Sequence, residues 1–179
     1  NIMPNKEGRQ EPALQELSNT EKEVRHSLTY FNSWWLKAAL QHGGNPNLLD
    51  PVEFLHPNQS LLSAAVLSHN AENVQVLIDA GADLNHQDGG GYTAVMTGAG
   101  CREYQIIEQM LLLGADYTLE TEHGTTLASD CFMFPIPDKA QFPEKAAAYE
   151  RVMRFLEQHG VDMEAAKRRA EWRGEPFPK

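Results

Sequence analysis

The sequence predicts an all-α solenoid of about four helix-turn-helix repeats, with short extended fingers between them and atypical capping ends. Three observations carry this. Gly81, Ala82 and Asp83 return as Gly114, Ala115 and Asp116, a step of 33 along the chain. The turn positions Asn58, Gly91 and Gly124 keep the same step. Between them run apolar residues at helical spacing, such as Val74, Leu77 and Ile78, or Ile106, Ile107, Met110 and Leu111. A fixed step of this length is the pattern of two-helix units that stack on one another and share a continuous core.

The elements follow in order. Residues 1–11 are polar, contain Pro4 and Gly8, and are expected to form an extended arm. Residues 12–179 are expected to be a single domain, with a short helix at residues 12–17 over its N-terminal end. The first repeat takes residues 20–57, with an inner helix at 21–30 and an outer one carrying Trp34, Trp35, Leu36, Ala39 and Leu40. Trp34 and Trp35 are expected to be one buried and one partly exposed residue. The closing Gly43, Gly44 and Asn45 stand further from Gly81 than the period allows, at a step of 38, so this finger is longer by about 5. The second repeat, residues 58–90, starts its inner helix after Ser60 as N-cap and has its outer helix at 72–80, stopped by Gly81. The third, residues 91–123, is capped by Thr93, turns Val95 and Ala99 inward and ends its outer helix at Gly114.

The fourth repeat, residues 124–166, closes on Gly160, Val161 and Asp162, a step of 46 after Gly114. It therefore carries an insertion of about 13, at about 133–145, rich in Phe and Pro. This insertion either packs over the last repeat or forms a contact loop. The outer helix follows at 144–159, patterned by Ala148, Val152, Phe155 and Leu156, and a capping helix is expected at 163–173.

Composition bounds the function. The chain has 179 residues, 41% hydrophobic and 22% charged, an ordinary globular balance. Fifteen Lys and Arg against 25 Asp and Glu give a net charge of −10, which argues against nucleic acid or an anionic membrane surface as partner. No apolar run approaches the ~18 residues of a membrane-spanning helix. Cys101 and Cys131 fall at different depths of neighbouring helices, roughly 10 Å apart, and are expected to be free thiols. His42 and His159 lie about three repeats apart, ~30 Å at the usual helix spacing. No Cys/His pair has zinc spacing, so no metal is expected. Gly89, Gly90 and Gly91 lack the Lys-Ser/Thr of a phosphate cradle and read as a turn. Asn58, in a glycosylation-like Asn-Gln-Ser, stands where later repeats have glycine and reads as a left-handed turn residue. No nucleophile-base-acid set, cofactor motif or nucleophile elbow is visible, so the chain is expected not to be an enzyme.

Gly91, Tyr92 and Thr93, the run from Gly124 to Leu127 and the Gly-Ala-Asp segments after leucine-rich helices resemble the ankyrin-repeat family over roughly residues 20–166. Where that family has Thr-Pro-Leu-His, this chain has Thr93, Ala94, Val95, Met96 and Thr126, Leu127, Ala128, Ser129. The missing Pro and His, which rigidify the helix start, lower the expected stability. The resemblance implies a non-enzymatic protein-binding module whose concave face is made of finger tips and inner helices. By repeat position it implies contacts from Gln59, Leu67, Ser68, Gln87, Asp88, Tyr92, Glu120, Glu122, Thr125, Met133 and Phe134. Of these, the acidic Asp88, Glu120 and Glu122 are expected to face a basic patch on the partner. The overall layout, with a polar N-terminal arm, degenerate repeats and a basic last helix, also resembles bacterial ankyrin-repeat immunity proteins that neutralise secreted effectors, type VI lipases among them. That resemblance implies a periplasmic or membrane-anchored lipoprotein location, with a lipid anchor upstream of residue 1. The alternative is an adaptor in an intracellular, cytoplasmic assembly.

Overall fold

A computed structural model describes residues 3–4, 10–11, 33–49 and 57–172. Among the described residues, eight helices make up nearly all of the regular secondary structure, so the fold class is all-α. They are α1 Ser33–Gln41, α2 Leu61–Leu67, α3 Ala71–Asp79, α4 Ala94–Cys101, α5 Tyr104–Leu112, α6 Leu127–Met133, α7 Pro143–Gln158 and α8 Met163–Glu171. A two-residue antiparallel ladder pairs β1 Met3–Pro4 with β2 Gln10–Glu11. The helices expected at 12–17 and 21–30 lie outside the described residues.

Helices α2, α4, α6 and α8 pack one against the next in chain order. Behind them α1 packs on α3 and α5 on α7, while Gln109 of α5 donates from Nε2 to Gln75 Oε1 of α3. The core lies between the two rows. Leu36, Leu61, Leu62, Leu77, Met96, Ile107, Met110, Leu127 and Leu156 are fully buried there. Trp34 and Trp35 are both half-buried rather than split between core and surface.

The sequence period reappears as repeated hydrogen bonds. Asp83 and Asp116 each accept from the backbone N–H two residues on, at 2.9 and 2.8 Å, as Asn45 does at 2.9 Å. These turns are tied to one another: Asn47 Oδ1 accepts from Asp83 N–H and Asn85 Oδ1 from Asp116 N–H, each at 2.7 Å. The finger turns repeat as closely. Asp88 and Tyr92 pair through N–H and C=O, and so do Thr121 and Thr125, one period later. Gly89 N–H donates to the Pro57 carbonyl, and Glu122 N–H to that of Gly90, joining successive turns. Asn58, Gly91 and Gly124 all have positive φ, at 60°, 83° and 74°. At Gly91 the need for glycine is double, because a Cβ there would also meet Thr121 Cα at 2.8 Å.

The helix starts are less uniform. Ser60 Oγ accepts from Ser63 N–H, and Thr126 forms a reciprocal capping box with Ser129. Thr93 takes the N-cap position of α4, but its side chain makes no capping bond and its Oγ1 is buried with no hydrogen-bond partner among the described residues. The expected cap at Thr93 is therefore absent.

Candidate functional site

A groove of about 400 Å³ runs across the row of short helices, over α2, α4 and α6. Its lining comes from four positions of the repeating unit. The turn position supplies Gln59, Tyr92 and Thr125; the last turn of the helix supplies Leu67, Gly100 and Met133. One residue further on, Cys101 and Phe134 contribute, and midway along the helices so do Thr97 and Asp130. Asp88 and Met96 complete it. Most of this surface is apolar, and Gly100 opens it, because a Cβ there would meet nothing within 4 Å.

Seven of the residues expected at a contact face line this groove: Gln59, Leu67, Asp88, Tyr92, Thr125, Met133 and Phe134. Four do not. Ser68 turns its hydroxyl to the Ala65 carbonyl at 3.0 Å. Gln87 donates from Nε2 to the carbonyls of Gly91 and Glu120, bracing one finger on the next. Glu120 is ion-paired with Arg169 of α8 at 3.0 Å. Glu122 is exposed outside the groove. The expected row of acidic finger charges is thus largely taken up by the frame. Asp88 in particular is a buried turn residue, its Oδ1 accepting from Gly90 and Tyr92 N–H at 2.9 Å each.

Met96, Thr97, Gly100, Cys101 and Asp130 also line the groove and are not among the contacts that the resemblance implies. One period on from Leu67 is Gly100, and a second reaches Met133. One period back from Asp130 is Thr97, so the repeat contains the missing rows. Asp130 is the most unusual of them. It is 4% exposed, and its Oδ2 has no hydrogen-bond partner among the described residues. Burial pushes its carboxyl up to about 7. Gln59 is 1% exposed, and its Oε1 is likewise unpartnered among them. Burial, then the charge of Asp130, raise the Tyr92 phenol; a hydrogen bond with Thr125 lowers it and Asp88 raises it.

Of the two roles left open by the sequence, the structure bears on the packing one. Tyr104 OH donates to the Phe134 carbonyl, Arg102 Nε donates to that of Pro135 at 3.1 Å, and the Arg102 guanidinium lies 5.9 Å from the Phe134 ring centroid. Ile136 is buried against the core. The loop is therefore anchored to the preceding helix pair, and that anchoring holds Phe134 at the groove rim while Phe142 stays exposed.

Both cysteines are free thiols. Burial, reinforced by Glu103 and opposed by Lys145, raises the Cys101 thiol, while burial and then Asp130 raise that of Cys131 strongly. Neither has the lowered pKa of a reactive nucleophile. Among the described residues no group of three His, Cys, Asp or Glu could hold a metal ion, and no helix is long and apolar enough to cross a membrane. His86 Nε2 lies 2.7 Å from the Asn58 carbonyl, and His159 stacks on Phe155 at 3.9 Å between centroids. Compared with known proteins, the chain matches no family model and no curated sequence.

Proposed function

We propose that this chain is an ankyrin-repeat solenoid that binds another protein in the groove over α2, α4 and α6, and that it acts as a bacterial immunity protein occluding a cognate secreted toxin. The observation that carries the binding function is the groove itself. An apolar, partly open surface is built from the same repeat positions of three successive helix pairs and rimmed by the exposed Met133. Surfaces of this composition suit an interface core, with aromatic and Met anchors at the centre. The raised thiols beside it suit a binder better than a nucleophilic catalyst. The immunity role rests on the layout resemblance together with small size and a net charge of −10, which suits a basic partner. Periplasmic placement on a lipid anchor belongs to the same proposal.

The test is to mix the purified chain with candidate secreted effectors from the same genome and to read complex formation and residual toxicity. A stoichiometric complex with toxicity abolished is expected, and Tyr92→Ala or Met133→Ala should weaken it by about 1–2 kcal/mol or more. Undiminished toxicity with no complex would remove the immunity role.

A further inference from the structure

Two features of the groove are hard to reconcile with a purely apolar partner. Asp130 Oδ2 and Gln59 Oε1 are both acceptor atoms, both buried, and both without a partner among the described residues. A buried acceptor left unpaired destabilises the fold, and more so when it is charged. Each lies on a residue that lines the same groove. Among the described residues, no Lys or Arg side chain lines it. The neighbouring cations are directed elsewhere: Arg102 to the Pro135 carbonyl and the Phe134 ring, Lys145 to Glu103, and Arg169 to Glu120. The groove thus offers acceptors, an acid and an apolar wall, and no complementary donor of charge.

We propose that the groove receives an inserted lysine or arginine side chain of the partner protein, its alkyl stem against Met96, Met133 and Tyr92 and its cationic head at Asp130. This rests on the protein-binding function proposed above and specifies its chemistry. The shape fits. Gly100, exposed in the last turn of α4, puts no side chain into the groove, and about 400 Å³ exceeds the volume of any one side chain, so backbone flanking the inserted residue enters too. Long cationic side chains have this double character, an apolar stem below a charged end. The net charge of −10 draws such a partner in, and Asp130 fixes where one cation stops. Gln59 Oε1, on the α2 side, is left to accept from an N–H of the flanking segment.

The test separates groove chemistry from partner identity. Nα-acetyl-arginine and Nα-acetyl-lysine methylamides, with the neutral Nα-acetyl-norleucine methylamide as control, are titrated into 15N-labelled protein at pH 8. Saturable shifts of the Gly100, Asp130 and Met133 amides are expected with the two cations, with a Kd in the millimolar range for so few atoms. The norleucine probe should bind at least tenfold more weakly. Asp130→Asn should weaken the cations at least tenfold, and Gly100→Leu, which puts a bulky side chain on the groove lining while keeping the acid, should abolish their shifts. Equal affinity for norleucine, or cation binding unchanged in Asp130→Asn, would overturn the cation site. With a captured partner in hand, wild-type affinity in both variants would leave protein binding standing and overturn the inserted side chain. Probe saturation without any protein partner would overturn the partner and leave the cation site.

Discussion

Asp130 is held at 4% exposure with one carboxylate oxygen unpartnered among the described residues, and burial raises its pKa to about 7. An unfolded Asp titrates near 3.9. Between those values the folded chain keeps a proton that the unfolded chain has lost, so this residue's contribution to stability falls as pH rises from about 4 to about 7 and is level above. The nearby titratable groups do not offset this, since Tyr92, Tyr104 and Cys131 are all raised and stay protonated through the window. The full effect is on the order of 2–4 kcal/mol. Asp130→Asn keeps the shape and cannot ionise. Urea unfolding at pH 5 and pH 8 should therefore show a larger loss for the wild type than for Asp130→Asn, by on the order of 2 kcal/mol. Equal losses would mean that Asp130 is solvated. A residue that weakens the fold at neutral pH and lines the groove is what a binding role would retain. Its identity is plain in the sequence, but its importance is not, because desolvation depends on what packs around it.

At the scale of elements, the three helix starts form an internal comparison. Ser60, Thr93 and Thr126 hold the same place in the repeating unit, yet only Ser60 and Thr126 cap their helices. Thr126→Val should lose the capping box and cost about 1 kcal/mol. Thr93→Val removes a hydroxyl that is already buried and unpartnered among the described residues, so it should be neutral or slightly stabilising. Denaturant midpoints at unchanged m-value would measure both; an equal loss at the two positions would mean that Thr93 caps in solution. The sequence shows a small hydroxyl at each start, since that follows from the period. Whether the hydroxyl turns toward the N–H depends on χ1 and on the N3 residue, Ser63 and Ser129 in the capped helices but Met96 in α4. The insertion was legible in the same partial way: its length follows from the spacing, whereas its anchoring by Tyr104 and Arg102 depends on contacts made far along the chain, from the preceding repeat.

Across the whole molecule, the period identifies the units and the turn bonds tie each to its neighbour, but side-chain links also reach further. Glu103 binds His69 at 2.7 Å and Lys145 at 3.1 Å, so one carboxylate joins three successive helix pairs. Burial alone would raise this carboxyl, yet the His69 and Lys145 hydrogen bonds outweigh it and hold it below the usual range. At the C-terminal end, α8 lies on α6, buries Ala166 and Ala170, and reaches back through Arg169 to Glu120. In a stack with nearest-neighbour coupling, removing a terminal unit weakens its neighbour most and distant units least. Ending the chain after Asp162 should therefore collapse hydrogen-exchange protection first in α6 and α7, by tenfold or more, with α2 and α3 retaining most of theirs. The same truncation frees Glu120 and uncovers apolar surface on α6, so self-association should rise with concentration. If protection instead falls equally from α2 to α7, the links through Glu103 and the finger turns make residues 57–172 one cooperative unit, and the nearest-neighbour picture does not describe this chain.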